Sequence, residues 1–272
     1  MSEPATRIHP TAVVEDGAQL ADDTKVGPYA VIASGTVIGP GCEIGAHAIL
    51  HPGTILEEKI FIDAHAVIGG DPQDIKFDRD TPSGVYIGAG TTIREHVTIN
   101  RATRPNKRTV VGPDCFLLAT CHVPHDATIG QGTVIANAVL FGGFVEVGSH
   151  CFIGGSAVFH QHVRIGDGVM VSGNASLSRD IAPYILVSER DRVHGLNHVG
   201  LRRRGFSTET VSELKRLFRA VLDAPGNVRA HAARQTAESA PGKRFLSFFG
   251  GGKRGFVTRY ETRRRTGGPA DT

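Results

Sequence analysis

The chain has no tryptophan and only two methionines, and aromatic residues make up 6% of its 272 residues, whereas glycine occurs 34 times. So few large rings favour thin, repetitive packing over a core built on aromatic side chains. No charged segment followed by an apolar stretch opens the chain, and no apolar run is long enough to span a bilayer. We therefore expect a soluble, cytoplasmic protein with no integral membrane segment.

Net charge and cysteine content are also low. The formal net charge is +3, and the segment from Lys253 to Arg265 is strongly basic. We expect residues 253–272 to form a flexible basic tail, and we expect no nucleic-acid partner. The four cysteines contain no CxxC pair, which argues against a zinc ribbon and against a disulfide framework.

Apolar residues recur at every sixth position in three blocks, which are separated by two breaks. A second track of small residues follows four positions after each of them, and it includes all four cysteines. We therefore expect the cysteines to be small buried hydrophobes rather than metal or redox groups. The apolar track is Ile8, Val14, Leu20, Val26, Ile32, Ile38, Ile44, Leu50, Leu56, Ile62, Ile68; Ile87, Ile93, Ile99; and Val111, Leu117, Val123, Ile129, Ile135, Phe141, Val147, Ile153, Phe159, Ile165, Val171, Leu177.

Glycine often follows the apolar position, as at Gly27, Gly130 and Gly148. Because each glycine costs a helix about 1 kcal/mol, an amphipathic helix is a poor interpretation of this period. Short strands with a turn every six residues fit instead, and hexapeptide periodicity is typical of a parallel β-helix. The sequence therefore predicts a mainly β protein.

The two breaks and the end of the repeat define the remaining segments. We predict a β-helix over residues 1–179 with loops at 69–86 and 100–110, and an irregular connector over 180–206. A helical domain is predicted over 207–252. Its first helix is capped by Ser207 and stopped by Ala224–Gly226, and weaker helices span 227–239 and 243–249.

The hexapeptide pattern resembles that of left-handed β-helix acyltransferases, in which three hexads make one coil of 18 residues. Steps of 18 place Gly143 and Gln161 in line with His125, on an outer face. Glycines beside a histidine leave backbone N–H groups open to stabilise an oxyanion. Two alternatives remain: solvated surface histidines, or a zinc site shared between subunits as in γ-class carbonic anhydrases.

Four motifs make the resemblance more specific. They are His122–Asp126 (HVPHD), Gly154–Gln161 (GGSAVFHQ), Gln73–Lys76 (QDIK) and Gly200–Phe206 (GLRRRGF). Together they resemble the UDP-N-acetylglucosamine 3-O-acyltransferase family, whose members catalyse the first step of lipid A synthesis, and the likeness covers nearly the whole chain.

The resemblance implies a chemistry and a set of residues. A 3-hydroxyacyl group would pass from the phosphopantetheine arm of acyl carrier protein to the sugar, with no other cofactor and no metal. The site would lie between subunits of a homotrimer, with His125 as base, Asp126 orienting it and the Gly143 N–H stabilising the oxyanion. Substrate-binding residues would be Gln73, Asp74, Lys76, His122, His160, Gln161, Asn197, Arg203 and Arg204, and the acyl-chain groove would contain Gly155, Met170 and Gly173.

Three departures from the family pattern concern the sugar and the nucleotide. Phe144 stands where the family usually has histidine, Val199 replaces a common glutamate, and Ser188–Arg190 replaces a segment that usually holds Gly–Asn. They leave open a different nucleotide sugar, such as a 3-amino sugar that would give an amide. They also leave open a non-catalytic β-helix that binds partners through its basic C-terminal region.

Overall fold

A computed structural model describes residues 8–259 of the chain. From Val13 to Leu177 the backbone winds into coils of three short strands, and strands from successive coils pair in parallel. The result is a triangular prism with three sheets, which we call the first, second and third faces. Corner I joins the first face to the second, corner II the second to the third, and corner III the third to the first.

Most strands are only two residues long. The first face contains β1 Val13–Val14, β4 Val31–Ile32, β7 Ile49–Leu50, β10 Val67–Gly70, β13 Thr98–Asn100, β16 His122–Val123, β19 Leu140–Phe141, β22 Val158–Phe159 and β25 Ser176–Leu177. The second contains β2 Gln19–Leu20, β5 Val37–Ile38, β8 Thr54–Leu56, β11 Gly84–Ile87, β14 Arg108–Val111, β17 Thr128–Ile129, β20 Glu146–Val147 and β23 Arg164–Ile165. The third contains β3 Lys25–Val26, β6 Glu43–Ile44, β9 Phe61–Ile62, β12 Thr92–Ile93, β15 Phe116–Leu117, β18 Val134–Ile135, β21 Phe152–Ile153, β24 Met170–Val171, β26 Ile185–Ser188 and β27 Arg192–Leu196.

The six-residue apolar track points into the prism, because side chains alternate sides along a strand. From Val26 onwards every member is buried, and so are the small residues at the corners. Of the three members before Val26, Leu20 is half-buried, and Ile8 and Val14 are 42% and 36% exposed, because these residues lie in the end coil with no further coil beneath them. All four cysteines are buried, and burial raises the pKa of the Cys121 and Cys151 thiols to about 12.

Both breaks in the repeat fall at corner I, in consecutive coils. The chain leaves the prism after β10 on the first face and rejoins it at β11 on the second face. It does the same between β13 and β14. The connecting segments are residues 71–83 and 101–107, which are shorter than the predicted loops at 69–86 and 100–110. The predictions were too long because the strands extend past the hexad positions, and these extensions pair with each other in register, as Gly84 does with Arg108.

The segment 180–206 is not the irregular connector that the sequence suggested. β26 adds to the third face beside β24, and β27 pairs with β26 in the antiparallel sense. Helix α1 follows at His198–Arg203. This hairpin covers the last open strand of the face, and sequence reasoning missed it because its residues leave the hexad register.

Three further helices form the C-terminal domain. α2 spans Thr208–Val221, and the Ser207 side chain accepts a hydrogen bond from the Thr210 N–H at its start. α3 covers only Val228–Ala233, much less than the predicted 227–239. α4 spans Ala240–Ser247, earlier than predicted, because the Ser239 cap and Pro241 allow the helix to begin there, and a 3₁₀ turn over Phe248–Gly250 follows.

The start of the predicted flexible tail is packed against the protein. Phe256 and Val257 are buried, and Phe256 forms a bridge with Asp180. Apolar side chains outweigh the basic composition here, so the prediction was wrong for residues 253–259; the remainder, 260–272, lies outside the described residues. Within the described residues, no helix has both the length and the apolar character needed to cross a membrane.

Candidate active site

His125 and Asp126 occupy corner I between β16 and β17, in the coil that follows the two inserted loops. The Nδ1 atom of His125 lies 2.9 Å from Oδ2 of Asp126. A carboxylate can only accept, so this contact places a proton on Nδ1 and leaves Nε2 as the basic nitrogen. The two side chains are 13% and 9% exposed, so the histidine is largely covered rather than solvated.

Two threonines that sequence reasoning missed hold Asp126. The backbone N–H and the hydroxyl of Thr103 both donate to Oδ2, over 3.1 and 2.7 Å. The hydroxyl of Thr109 accepts a hydrogen bond from the Asp126 N–H over 2.9 Å. Asp126 has a positive φ of 59°, which aspartate tolerates better than most residues. No spacing could have predicted Thr103, because it belongs to a loop outside the repeat.

Gly143 packs directly on the imidazole, as steps of 18 predicted. A Cβ atom built on Gly143 would lie 2.5 Å from Cε1 and 2.7 Å from Nε2 of His125, so a side chain here would displace the ring. The Gly142 N–H donates to the Phe159 carbonyl, and the Phe144 N–H donates to the His125 carbonyl. The Gly143 N–H has no acceptor within residues 8–259. An unpaired N–H beside the basic nitrogen can stabilise an oxyanion.

Phe144 forms one wall of the site. Its ring meets His125 edge-on, with centroids 5.3 Å apart, and stacks on His162 at 4.7 Å. The Arg104 guanidinium lies 5.5 Å from the same ring. At this position the side chain offers a flat apolar surface and no hydrogen-bonding group.

The other histidines at this edge differ in exposure. His122 points outward from the first face, its Nδ1 is 2.7 Å from the Thr98 hydroxyl, and its Nε2 is buried without a hydrogen-bond partner among the described residues. Burial, and then the nearby His125, lower the pKa of His122, so it is neutral near pH 7. His160 and Gln161 are exposed, with Nδ1 of His160 3.2 Å from the Gln161 carbonyl oxygen.

The predicted acyl-chain groove lies at a different corner. Gly155 and Gly173 stack in successive coils at corner III, where a Cβ on Gly173 would lie 3.2 Å from the Gly155 oxygen. Met170 is half-buried on the third face and pairs with Phe152 and Leu186. These three residues do not meet His125 within one chain, because corners I and III are separate edges of the prism.

Asn197, Arg203 and Arg204 lie near corner II. The Asn197 side chain donates to the Gly168 oxygen and accepts from the Gly200 N–H as the cap of α1, so both of its polar atoms are already engaged. Arg203 and Arg204 are exposed, and the Arg204 guanidinium lies against Gly168 and 5.1 Å from the Phe206 ring centroid.

The loop residues Gln73, Asp74 and Lys76 are exposed, and within the described part of the chain no hydrogen bond joins their side chains to His125 or Asp126. Their neighbour Ile75 is fully exposed at 102%. In residues 8–259 no group of three or more His, Cys, Asp or Glu side chains is arranged to hold a metal ion.

Comparison with known proteins identifies the family. A model described as UDP N-acetylglucosamine O-acyltransferase, domain 2, matches residues 180–257, and a hexapeptide-repeat model of succinyl-transferase matches 25–69 and 145–179. The acyl-(acyl-carrier-protein)–UDP-N-acetylglucosamine O-acyltransferase of Burkholderia lata is 42% identical over 261 residues, which are 93% of this chain and 99% of that protein. The chain belongs to this O-acyltransferase family. A Burkholderia thailandensis member is 48% identical over 216 residues, covering 79% of this chain and 82% of the relative.

Solved structures of O-acyltransferase family members agree with the fold. The UDP-N-acetylglucosamine acyltransferase from Campylobacter jejuni is 35% identical with a TM-score of 0.87, covering 92% of this chain and 99% of that one. The protein from Acinetobacter baumannii gives 0.88 at 26% identity, covering 92% and 99%. The predicted left-handed parallel β-helix and the family resemblance are therefore confirmed.

Proposed function

We propose that this chain transfers a 3-hydroxyacyl group from acyl carrier protein to the 3-hydroxyl of UDP-N-acetylglucosamine, the first step of lipid A synthesis, in the cytoplasm. The observation that carries the proposal is the His125–Asp126 pair, oriented so that the basic Nε2 faces Gly143. Family membership supplies the substrates, since the relatives are named for this activity.

A sugar hydroxyl is a poor nucleophile near neutral pH, so the reaction needs a base. In the proposed mechanism, Nε2 of His125 takes the hydroxyl proton as the sugar oxygen attacks the thioester carbonyl carbon. The C–O bond forms, and the carbonyl oxygen becomes an oxyanion that the Gly143 N–H stabilises. The C–S bond then breaks, and the imidazolium returns its proton to the thiolate of the phosphopantetheine arm. Asp126 holds the ring and stabilises its charge.

Acyl carrier protein is the proposed partner, and its phosphopantetheine arm is the only prosthetic group that the mechanism requires. Acyl carrier proteins are acidic, and the C-terminal region presents exposed cationic side chains, which would speed encounter with such a surface. The exposed cations include Arg202, Lys215, Arg216, Arg219 and Lys243.

The distribution of the candidate residues over three edges supports a shared site. His125, the proposed base, is at corner I, Gly155 and Gly173 are at corner III, and Arg204 is beside Gly168 at corner II. One rigid prism cannot bring three edges to one substrate, but packed copies can set an edge of one beside an edge of another. We propose a homotrimer in which Gln73, Asp74 and Lys76 of one copy approach His125 of its neighbour. Guanidinium groups suit a diphosphate, so Arg203 and Arg204 would bind the nucleotide.

We expect light scattering to give the mass of three chains at micromolar concentration. We call the loop over residues 71–83, which carries Gln73, Asp74 and Lys76, the substrate loop. If it serves the neighbouring copy, mixing an inactive Lys76 variant with an inactive His125 variant restores some sites that contain both wild-type residues. Recovery of part of the activity after mixing and reassembly supports the shared site. A monomeric mass, or no recovery from reassembled mixed trimers, contradicts it.

A second candidate acceptor is favoured by Phe144. Its ring offers no hydrogen-bonding group where the family usually has histidine, so contacts to the sugar differ here. A 3-amino analogue of the UDP-sugar would give an amide by the same steps, since its nitrogen also attacks the thioester.

The decisive experiment incubates purified protein with UDP-N-acetylglucosamine or its 3-amino analogue, together with 3-hydroxyacyl carrier proteins of several chain lengths. Mass spectrometry identifies the product, and mild alkaline hydrolysis separates ester from amide. Ester product supports the main proposal and amide product the second. No product with any pair supports a non-catalytic binding protein.

A further inference from the structure

We propose that the loop over residues 101–107 positions parts of two neighbouring sites of the homotrimer: Thr103 holds the chain's own His125–Asp126 pair, and Arg101 holds the substrate loop that approaches His125 of the next copy. The inference rests on the proposed function and assigns roles to two residues that do not contact the reacting atoms. Both lie in one short insertion directly below His125, in the preceding coil at corner I.

Thr103 fixes the carboxylate that orients the base. Oδ2 of Asp126 accepts hydrogen bonds from the Thr103 N–H and from the Thr103 hydroxyl. It is also within hydrogen-bonding distance of Nδ1 of His125. A carboxylate with one oxygen held by three groups cannot rotate without losing several hydrogen bonds. Because Asp126 is only 9% exposed, water cannot readily replace the threonine hydroxyl.

Arg101 fixes the other loop. Its guanidinium donates to Asp71 Oδ1 over 2.9 Å and to the Arg79 and Thr81 carbonyls over 2.7 and 2.8 Å. It also lies 4.8 Å from the Phe77 ring centroid. These partners flank Gln73, Asp74 and Lys76 on both sides, so Arg101 closes the loop that carries the proposed substrate contacts. Its side chain is 14% exposed, which strengthens these charge-assisted bonds.

The two loops also share backbone contacts. The Asn106 N–H donates to the Pro82 oxygen over 2.7 Å, and the Ser83 hydroxyl donates to the Ala102 oxygen over 2.6 Å. The insertions therefore pack as one unit, and only one residue separates Arg101 from Thr103. Movement of the substrate loop would be transmitted to the residue that holds Asp126.

The first test replaces Thr103 with valine, which keeps the shape and the backbone N–H but removes the hydroxyl. We expect kcat to fall on the order of tenfold, with KM for the UDP-sugar within about threefold, because a hydrogen bond to a charged group is lost. Thr103→Ser should restore most of kcat. In an Asp126→Asn background the same Thr103→Val change should cost less than about twofold, since Thr103 acts through the carboxylate.

The second test replaces Arg101 with glutamine and compares it with Lys107→Gln, which removes one positive charge from an exposed side chain of the same loop. Arg101→Gln should raise KM for the UDP-sugar about tenfold, with kcat within about threefold, and Lys107→Gln should change neither by more than twofold. Thermal unfolding and light scattering establish that each variant retains its fold and assembly.

The outcomes separate this inference from the proposed function. Wild-type protein that forms no acylated sugar refutes the function, and the inference with it. If the wild type is active, two results would refute the role of Thr103 alone. One is a Thr103→Val variant that keeps its kcat. The other is a Thr103→Val change that lowers kcat as much in the Asp126→Asn background as in the wild type. An unchanged KM in Arg101→Gln refutes the role assigned to Arg101.

Discussion

The His125→Ala variant should lose almost all turnover while remaining folded. A positioned general base contributes about 10²–10⁴-fold to the rate, and the three atoms nearest a Cβ built on Gly143 all belong to the His125 imidazole. The imidazole lies outside the apolar core, so its removal opens a groove at the surface rather than an internal cavity. Steady-state transfer to UDP-N-acetylglucosamine measures the loss, and thermal unfolding checks the fold.

Two further variants sharpen this test. His125→Gln fills most of the same space beside Gly143 and can contact Asp126, but it has no basic nitrogen, so it should be as inactive as the alanine variant. His9→Ala removes an exposed histidine of the end coil and should leave activity unchanged. If His125→Ala turns over within about threefold of wild type, His125 is not the base.

The prism itself was largely predictable, because its packing repeats. An apolar residue that recurs every six positions must point the same way in every strand, and the buried residues from Val26 to Leu177 do so. The same regularity predicted Gly143 above His125 by counting alone. A repeat of this kind turns a three-dimensional contact into a fixed separation along the sequence.

The residues that complete the site lie where this periodicity stops. Thr103 and Arg101 belong to a loop whose path depends on contacts with a second loop, as between Asn106 and Pro82. No sequence repeat predicts the hairpin of β26 and β27, because the hairpin forms by pairing with the edge that β24 leaves open. Sequence spacing therefore predicted that Gly143 lies over His125, and it could not predict which residues hold Asp126.

The sequence also did not predict which candidate residues share an edge of the prism. The hexad count places Gly173 over Gly155, but it gives no reason to regard corner III and corner I as parts of one site. The prism shows them as separate edges, and this separation makes the assembly of several chains a requirement of the proposed mechanism.

The Gly173→Met variant should shift the preference for the acyl donor toward shorter chains. Gly155 and Gly173 form a strip without side chains at corner III, and neither has a positive φ, so the backbone accepts a side chain at Gly173. The new Cβ would lie 3.2 Å from the Gly155 oxygen, which requires only a slight adjustment, and the rest of the methionine would fill the path of an acyl chain. Each buried methylene contributes about 0.8 kcal/mol, so losing contact with three of them should lower the relative rate of the long donor about 50-fold.

The measurement is a competition between 3-hydroxyacyl carrier proteins of different lengths, with products resolved by mass spectrometry. Gly173→Ala should give an intermediate shift, because one methyl group covers less of the strip. Gly250→Met is the matched control, since Gly250 has open space around its Cβ position and lies in the C-terminal domain, away from corner III. Because an open strip accommodates long chains, wild type should prefer donors longer than ten carbons. A ten-carbon preference in wild type, or an unchanged length profile in Gly173→Met, would show that the acyl chain does not lie along this strip.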